Sequence, residues 1–324
     1  MQFDKRTARK LSMLGSRGAC AKGLEEILDE DDRAVILAAD VIRFSGLEAA
    51  QETHPDRVIN VGIAEQNMIG IAAGLAKDGW HVYATTYANF LVMRAFEQVR
   101  INVGYMGFPI RLIGSCGGVG MGNLGYTHFA VEDIALMRTI PGMTILSPAD
   151  GWETYKATKA LKDYDKPTYL RLSGEMNMPI VYREDYDYQI GKNVCLREGK
   201  DVVIFATGSM VATALEVAER LEKDLIQTAV MDIHTISPLD EEFVRKSICG
   251  RSLCVTIEEH SLINGVGDKL FGVLGHGTES KFIQIGFSND VKKADTQNAV
   301  LQKCGMGTEA ICSRILCEIR EDTE

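Results

Sequence analysis

The strongest constraint on the fold is a short run without a polar residue, positions 34–39 (AVILAA), closed directly by Asp40. A strand with one wet face alternates apolar and polar side chains, so an unbroken apolar run of this length predicts a strand buried on both faces of a parallel sheet. In open α/β sheets, ligand contacts gather beyond the carboxyl ends of such strands, where Asp40 stands. The chain then alternates strand-like and helix-like segments: VINV, a helix from Glu65, HVYATT, a helix through Arg94, PIRLIGS, a helix over AVEDIALMRTI, TILSPA, GWETYKATKALKD and PTYLRLS. A helix over residues 4–28 precedes the set, on the near-helical recurrence of Ala8, Leu11, Leu14, Leu24 and Leu28. Such alternation predicts a doubly wound, mostly parallel sheet.

After a polar, tyrosine-rich connector, PIVYREDYDYQIG, the alternation restarts with DVVIFATG, MVATALEVAERLEKD, IQTAVMDIHT, DEEFVRKSIC, SLCVTIEEH and NGVGDKLFGVLG, and it ends on the helix TEAICSRILCEIRED. The expected fold class is therefore α/β with two doubly wound domains, residues 1–185 and 186–324. A length of 324 residues accommodates two cores of ordinary size. The formal charge of −10 lies with no basic stripe, which argues against nucleic acid as a partner. No apolar run is long enough to span a membrane, and the N-terminal segment lacks the apolar core of a signal peptide. Eight scattered cysteines in a long chain read as buried thiols of a reduced, cytoplasmic protein rather than as a disulfide framework. The pairs Cys249/Cys254 and Cys312/Cys317 are poorly spaced for zinc.

Residues 57–100 concentrate the candidate chemistry. Glu65 opens a helix rich in small residues (Ala64, Gly70, Ala72, Ala73, Gly74, Ala76), and the following strand ends among Tyr83, Tyr87 and Phe90. An acid at a helix start beside strand-end aromatics suits a flat, nitrogen-bearing ring. The bland alternatives are a carboxylate favoured by the helix dipole and ordinary core aromatics. Gly120, Gly122 and Gly125 have GxGxxG spacing, but YTHF separates them from the next helix, so a loop ending in His128 fits better than a dinucleotide cradle. His128 is a candidate proton carrier, and capping of the next helix is the competing reading of its segment. Glu258–Glu259 before His260 reads as a turn at a strand end.

Taken together, these stretches resemble the transketolase family, in its pyrimidine-binding domain followed by its C-terminal domain. GIAEQNMIGIAAGLAKDG is similar to the family helix that carries its glutamate, and ATTYANFLVMRAFEQVR to its aromatic cofactor segment. GMGNLGYTHFAVEDIALMRTIPGMTILSPAD is similar to the loop that usually reads GEDGxTHQ, and IEEHSLINGVGDKL to the C-terminal-domain signature. The resemblance covers nearly the whole chain. It implies thiamine diphosphate as cofactor. Glu65 then bonds N1′ of the aminopyrimidine and shares a proton with it, Phe90 stacks on the ring with Tyr87 beside it, and His128 faces the substrate carbonyl. The implied activity is transfer of a two-carbon ketol unit from a ketose donor to an aldose acceptor. A β-subunit of a 2-oxo acid dehydrogenase or a pyruvate-using acyl transferase, and a non-catalytic scaffold subunit, are the alternatives.

The family holds the diphosphate and a divalent metal such as Mg²⁺ with a GDG motif and a later asparagine, and that motif is not found here. The resemblance thus implies one subunit of a split enzyme, with no metal ligands of its own. Its partner would be an N-terminal-section chain bearing GDG, in an α2β2 assembly. Substrate-contacting positions carried over are Arg9 and Ser45, which match, and Cys116 and Leu124, where the family usually has histidine and aspartate. Gly174 stands where an arginine often follows the closing strand. These departures imply altered sugar or sugar-phosphate selectivity, with Arg94, Arg138 and Arg171 as further anion contacts.

Overall fold

The computed structural model describes residues 1–174, 176–275, 280–288, 291 and 293–320. The first unit runs α1 (Lys5–Glu30), β1 (Ala34–Ala38), α2 (Glu48–Thr53), β2 (Val58–Asn60), α3 (Glu65–Lys77), β3 (His81–Tyr87), α4 (Phe96–Gln98), β4 (Arg111–Gly117), α5 (Asp133–Arg138), β5 (Thr144–Leu146), α6 (Gly151–Ala160) and β6 (Thr168–Ser173). The second runs β7 (Val194–Arg197), β8 (Val202–Ala206), α7 (Met210–Glu222), β9 (Thr228–Asp232), β10 (Thr235–Ser237), α8 (Glu241–Ile248), β11 (Leu253–Ser261), α9 (Val266–Leu274), β12 (Lys281–Phe287), α10 (Gln297–Lys303) and α11 (Thr308–Arg320). The expected α/β class with two mostly parallel sheets is present.

All five residues of β1 are buried, as its lack of polar residues requires. It lies inside a sheet ordered β10-β5-β6-β4-β3-β1-β2, in which only the β10–β5 pair is antiparallel. The second sheet is ordered β12-β11-β8-β9-β7, with β7 antiparallel at one edge. The segment read as one strand, IQTAVMDIHT, divides. Its first part is β9 in the second sheet, and β10 crosses to pair with β5, Thr235 opposite Leu146. One apolar core runs through both units accordingly, joining Leu37, Met68 and Leu112 to Phe205, Met231 and Ile236.

Local departures from the expected elements have physical causes. α1 is broken at Gly15, whose φ of 70° and ψ of −177° no helical residue adopts. The helix expected over AVEDIALMRTI shortens to α5, because Ala130 is drawn into a bridge with Gly118. The helix through Arg94 is mostly π-helical, over Phe90–Arg94 and Val99–Tyr105 on either side of α4. Such widened turns occur often at functional sites.

Glu258, Glu259 and His260 form no turn: they lie within β11, and all three are buried. Glu258 accepts the Val266 and Gly267 amides at the start of α9. Glu259 accepts from the Val119 amide, the Ser209 hydroxyl and Gln297 Nε2. His260 Nε2 accepts the Ala135 amide at 3.3 Å, and its Nδ1 lies 2.7 Å from the Ser261 carbonyl, the pattern of a neutral ring with its proton on Nδ1. Beside them Arg171 Nε donates to Asp133 Oδ2 at 2.7 Å, with both side chains inaccessible, and Tyr169 donates to the same oxygen. Arg171 Nη2 also reaches the Ala130 and Glu259 carbonyls.

Removing one member of a buried ion pair strands the other charge. Asp133→Ala is therefore expected to lower unfolding free energy by about 3–5 kcal/mol, read by urea titration, whereas an apolar pair of like volume at 133 and 171 should recover most of the loss.

A second expectation concerns pH. Burial lowers the His260 pKa to about 4 and raises that of Glu258 to about 7. Between roughly pH 4.5 and 6.5 the unfolded chain binds the histidine proton and the fold does not, so this group's contribution to stability falls as pH drops. In the same window the fold binds the Glu258 proton and the unfolded chain does not, so that contribution falls as pH rises. The two slopes cancel. Because other buried carboxyls such as Asp150 also titrate here, the test is a difference between two pH series of unfolding curves. Relative to the parent, Glu258→Gln should shift the slope of stability against pH by about 1.4 kcal/mol per pH unit, toward rising stability with pH; a slope equal to the parent's refutes the assignment.

Candidate functional site

Glu65 is the first residue of α3 and is 2% exposed. Arg94 Nη1 donates to its Oε1 at 2.7 Å. Among the described residues Oε2 has no hydrogen-bond partner. A carboxylate shielded this well, with one oxygen uncommitted, is ready to take a hydrogen bond from a ligand N–H.

The Arg94 guanidinium carbon lies 4.1 Å over the Phe90 ring. Phe90 in turn meets His128 edge-on at 5.3 Å and Tyr87 at 5.8 Å between ring centroids, and Tyr87 meets His128 at 5.9 Å. Tyr87 packs on Phe44 at 4.6 Å, and Arg17 lies 3.8 Å over Phe44 while donating to its carbonyl. Thus Glu65, Arg94, Phe90, His128, Tyr87, Phe44 and Arg17 form one unbroken chain of contacts. Burial first, and the nearby Cys116 second, push the Tyr87 phenol above its ordinary pKa.

His128 reaches this cluster on a loop built from two 3-10 turns, Gly122–Leu124 and Tyr126–His128. The loop is held from several sides. Asn89, next to Phe90, donates to the Thr127 carbonyl at 2.7 Å, and its own Oδ1 is buried without a partner. Thr127 Oγ1 lies 3.0 Å from His128 Nδ1. The Gly122 carbonyl accepts the Asp295 amide, and a Cβ at Gly122 would fall 2.3 Å from the Asp295 carbonyl oxygen. That close approach of two backbones explains the glycine, and the GxGxxG spacing marks a loop docked on the second unit.

Of the substrate positions implied by the sequence, Ser45 is adjacent to Phe44, and its buried hydroxyl has no partner. It lines a small cavity with Arg17, Thr85 and Ser115, and the Ser115 hydroxyl is likewise orphaned. Cys116 follows at the carboxyl end of β4, buried, with φ of 59°. Leu124 is half exposed on the His128 loop. Arg9 stands apart, exposed on the first half of α1, with no side-chain hydrogen bond, ion pair or ring contact to a described residue. Two of the expected anion contacts are corrected. Arg171 spends its donors on Asp133 and two carbonyls in the core, and Arg138 spends its Nη1 on the Asn264 and Gly265 carbonyls. Arg94 is the counter-ion of Glu65. The four-residue spacing of Phe90 and Arg94, close to one helical turn, is the sequence signal for that contact.

The residues suit a flat cationic or amino-bearing ring: a half-buried aromatic face, a buried carboxylate with one free oxygen, and an imidazole at the edge. Among the described residues no group of three or more His, Cys, Asp or Glu side chains is arranged to hold a metal ion. Among them, too, no helix is long and apolar enough to cross a membrane, and no disulfide forms.

Residues 12–178 match the transketolase pyrimidine-binding domain, and residues 191–311 match the transketolase C-terminal domain. The chain is 35% identical to the 6-deoxy-6-sulfo-D-fructose transketolase subunit of Clostridium sp. (strain MSTE9), over 89% of either chain. It is 33% identical to an apulose-4-phosphate transketolase subunit of Phocaeicola vulgatus, over 94% of this chain and 97% of that one. A solved split-gene transketolase described as an inactive β4 tetramer superposes with a TM-score of 0.83 at 34% identity, covering 92% of this chain and 95% of the other. The chain belongs to the transketolase family. Its domains imply dependence on thiamine diphosphate, and the Clostridium and Phocaeicola relatives are both named as subunits of a transketolase.

The Asn89–Thr127 bond ties the aromatic segment to the His128 loop. Asn89→Ala is expected to cost about 1 kcal/mol of stability and to speed amide hydrogen exchange across residues 122–128, while exchange in β3 stays slow.

Proposed function

We propose that this transketolase-family chain is the C-terminal-section subunit of a two-chain enzyme that moves a two-carbon ketol unit from a ketose donor to an aldose acceptor. The observation that carries the reading is the buried Glu65 carboxylate beside the Phe90 face and the His128 imidazole. When bound, thiamine diphosphate would supply a nucleophilic carbon and, in the cationic thiazolium ring that bears it, an electron sink.

This chain's residues serve that chemistry from the first domain, residues 1–185, with residues 186–324 as the second. Glu65 holds or shares a proton at N1′ of the aminopyrimidine through its uncommitted Oε2. Exclusion of water by α3 strengthens that hydrogen bond. Phe90 offers the stacking face, worth about 1–3 kcal/mol by analogy with stacked bases, and Tyr87 backs it. His128 is placed to meet the substrate carbonyl and the negative charge that develops on its oxygen. Ser45, Cys116, Leu124 and Arg9 are the proposed substrate contacts.

The diphosphate and its divalent metal belong in this reading to a GDG-bearing partner, in an α2β2 assembly in the cytoplasm. That a similar chain forms an inactive β4 tetramer fits a half that cannot act alone. The departures at Leu124, Cys116 and Gly174 support a selectivity altered from ordinary sugar phosphates. Two relatives are named for unusual sugars, 6-deoxy-6-sulfo-D-fructose and apulose-4-phosphate, which supports that direction.

Glu65→Ala in the complex reconstituted with its partner should abolish turnover, with a loss of several hundredfold or more, while the unfolding midpoint changes little. Supplying a ketose and then pyruvate as donor should give a two-carbon adduct from the ketose. Near-parental activity of the variant, or an adduct from pyruvate alone, removes the reading.

A further inference from the structure

Arg94 makes two contacts at once. Its guanidinium lies 4.1 Å over the Phe90 ring, and its Nη1 donates to Glu65 Oε1 at 2.7 Å. A ring-shaped cofactor needs the same two features here, an aromatic face to stack on and a buried carboxylate to bond. A guanidinium is planar, delocalised and weakly hydrated, so it can satisfy a π face and a carboxylate together.

We propose that Arg94 is a built-in occupant of the ring site: it holds Phe90 and Glu65 in the unloaded subunit and swings aside when the aminopyrimidine enters. The proposal rests on the function proposed above and adds a gate to it. Three observations shape it. The Arg94 side chain is 45% exposed, so it has solvent to move into. The main chain at 94 is pinned, because Gln66 Nε2, from the residue after Glu65, donates to the Arg94 carbonyl at 3.1 Å. Motion is thereby confined to the side chain. Finally, Glu65 is 2% exposed, and a buried carboxylate without a counter-charge is costly, so some cation has to neutralise it while no cofactor is present. The other aromatic neighbours of Phe90, His128 and Tyr87, approach it edge-on. Among these neighbours the guanidinium alone supplies charge and plane together.

An occupant of this kind lowers the fraction of sites open to the cofactor, and apparent affinity falls by that fraction. The test is thiamine diphosphate binding to the reconstituted complex, with Mg²⁺ present, by calorimetry and stopped-flow. For Arg94→Ala the association rate and apparent affinity should each rise about tenfold. Millimolar guanidinium chloride, below its denaturing range, should return the variant toward the parental rate by refilling the site. A structure of the loaded complex should show the Arg94 guanidinium moved off the Phe90 face. Unchanged or weaker binding by Arg94→Ala overturns the gate, as does a loaded structure in which Arg94 stays on that face, since each makes Arg94 a fixed anchor. If the parental complex binds no thiamine diphosphate at all, the proposed function itself fails and the gate with it. Normal binding that is indifferent to residue 94 removes the gate alone.

Discussion

The place of His128 depends on a buried ion pair that His128 does not touch. Arg171, on β6, and Asp133, at the start of α5, pair in the inaccessible centre of the molecule, and Arg171 also donates to the carbonyls of Ala130 and Glu259. Ala130 bridges Gly118, and the Val119 amide bonds Glu259, so both ends of the loop that carries His128 are fastened to one network. Half of that network comes from β11, in the second unit. The second unit therefore bears on the chemistry by fixing where a loop of the first one lies, even though it contributes no residue to the aromatic cluster. A pair of inaccessible charges is a poor source of stability, because desolvation consumes much of the Coulomb gain. Its value lies in geometry: Arg171 Nε and the Tyr169 hydroxyl converge on Asp133 Oδ2, and Arg171 Nη2 reaches the Ala130 carbonyl at the edge of the loop, which fixes the loop's register.

The Glu65 side of the site depends on a different constraint. α3 begins at Glu65 itself, with Ala64 as a cap that offers no side-chain acceptor. The carboxylate is therefore oriented by Arg94, from the π-helical segment, rather than by its own helix. Two separate elements are joined at the carboxylate, and Phe90 and Arg94 both issue from the widened turns that Asn89 precedes. A regular α-helix over the same residues would place positions 89, 90 and 94 differently about the axis. The π geometry lets Asn89 reach the His128 loop while Arg94 lies over Phe90.

What is legible in the sequence is what depends on local pattern. Residues 34–39 can only be an interior strand, Glu65 can be placed at a helix start, and the order of Glu65, Phe90 and His128 carries the family resemblance. What is not legible depends on distant partners. β10 is three residues long, and it belongs to the first sheet only because β5 offers an edge; nothing in its own sequence points there. Residues 258–260 resemble a polar turn because two acids and a histidine in a row are costly to bury, and they are buried only because the amides of α9, Val119, Gln297 and Ala135 arrive to satisfy them. Arg138 and Arg171 look available to an anion for the converse reason: their carbonyl and carboxylate partners are remote in sequence. β12 does carry a period-two signal that the sequence reading passes over, Ile283, Ile285 and Phe287 being buried with Gln284 and Gly286 between them, whereas α10 leaves little trace because it is only two turns long.

The three departures from the family pattern differ in physical kind. Cys116 has φ of 59°, a left-handed conformation that histidine tolerates better than most side chains, so exchange of side chain alone relates the two states at this position. Leu124 is half exposed in a 3-10 turn, where an aspartate would also fit. Gly174 is unlike either. Its φ is 82°, which strains any side chain, and an added Cβ would lie 2.9 Å from Met178 Cε, the movable end of that side chain, so the cost of an arginine there is chiefly one of backbone conformation. Met178 packs over Gly174, and the Met178 carbonyl accepts the Ser12 hydroxyl from α1. A change that involves backbone and a helix contact is harder to reverse than two side-chain exchanges. If the missing arginine is a phosphate contact, as the resemblance implies, then Gly174 is the most deeply built of the three departures, because a backbone conformation and a helix contact accompany it.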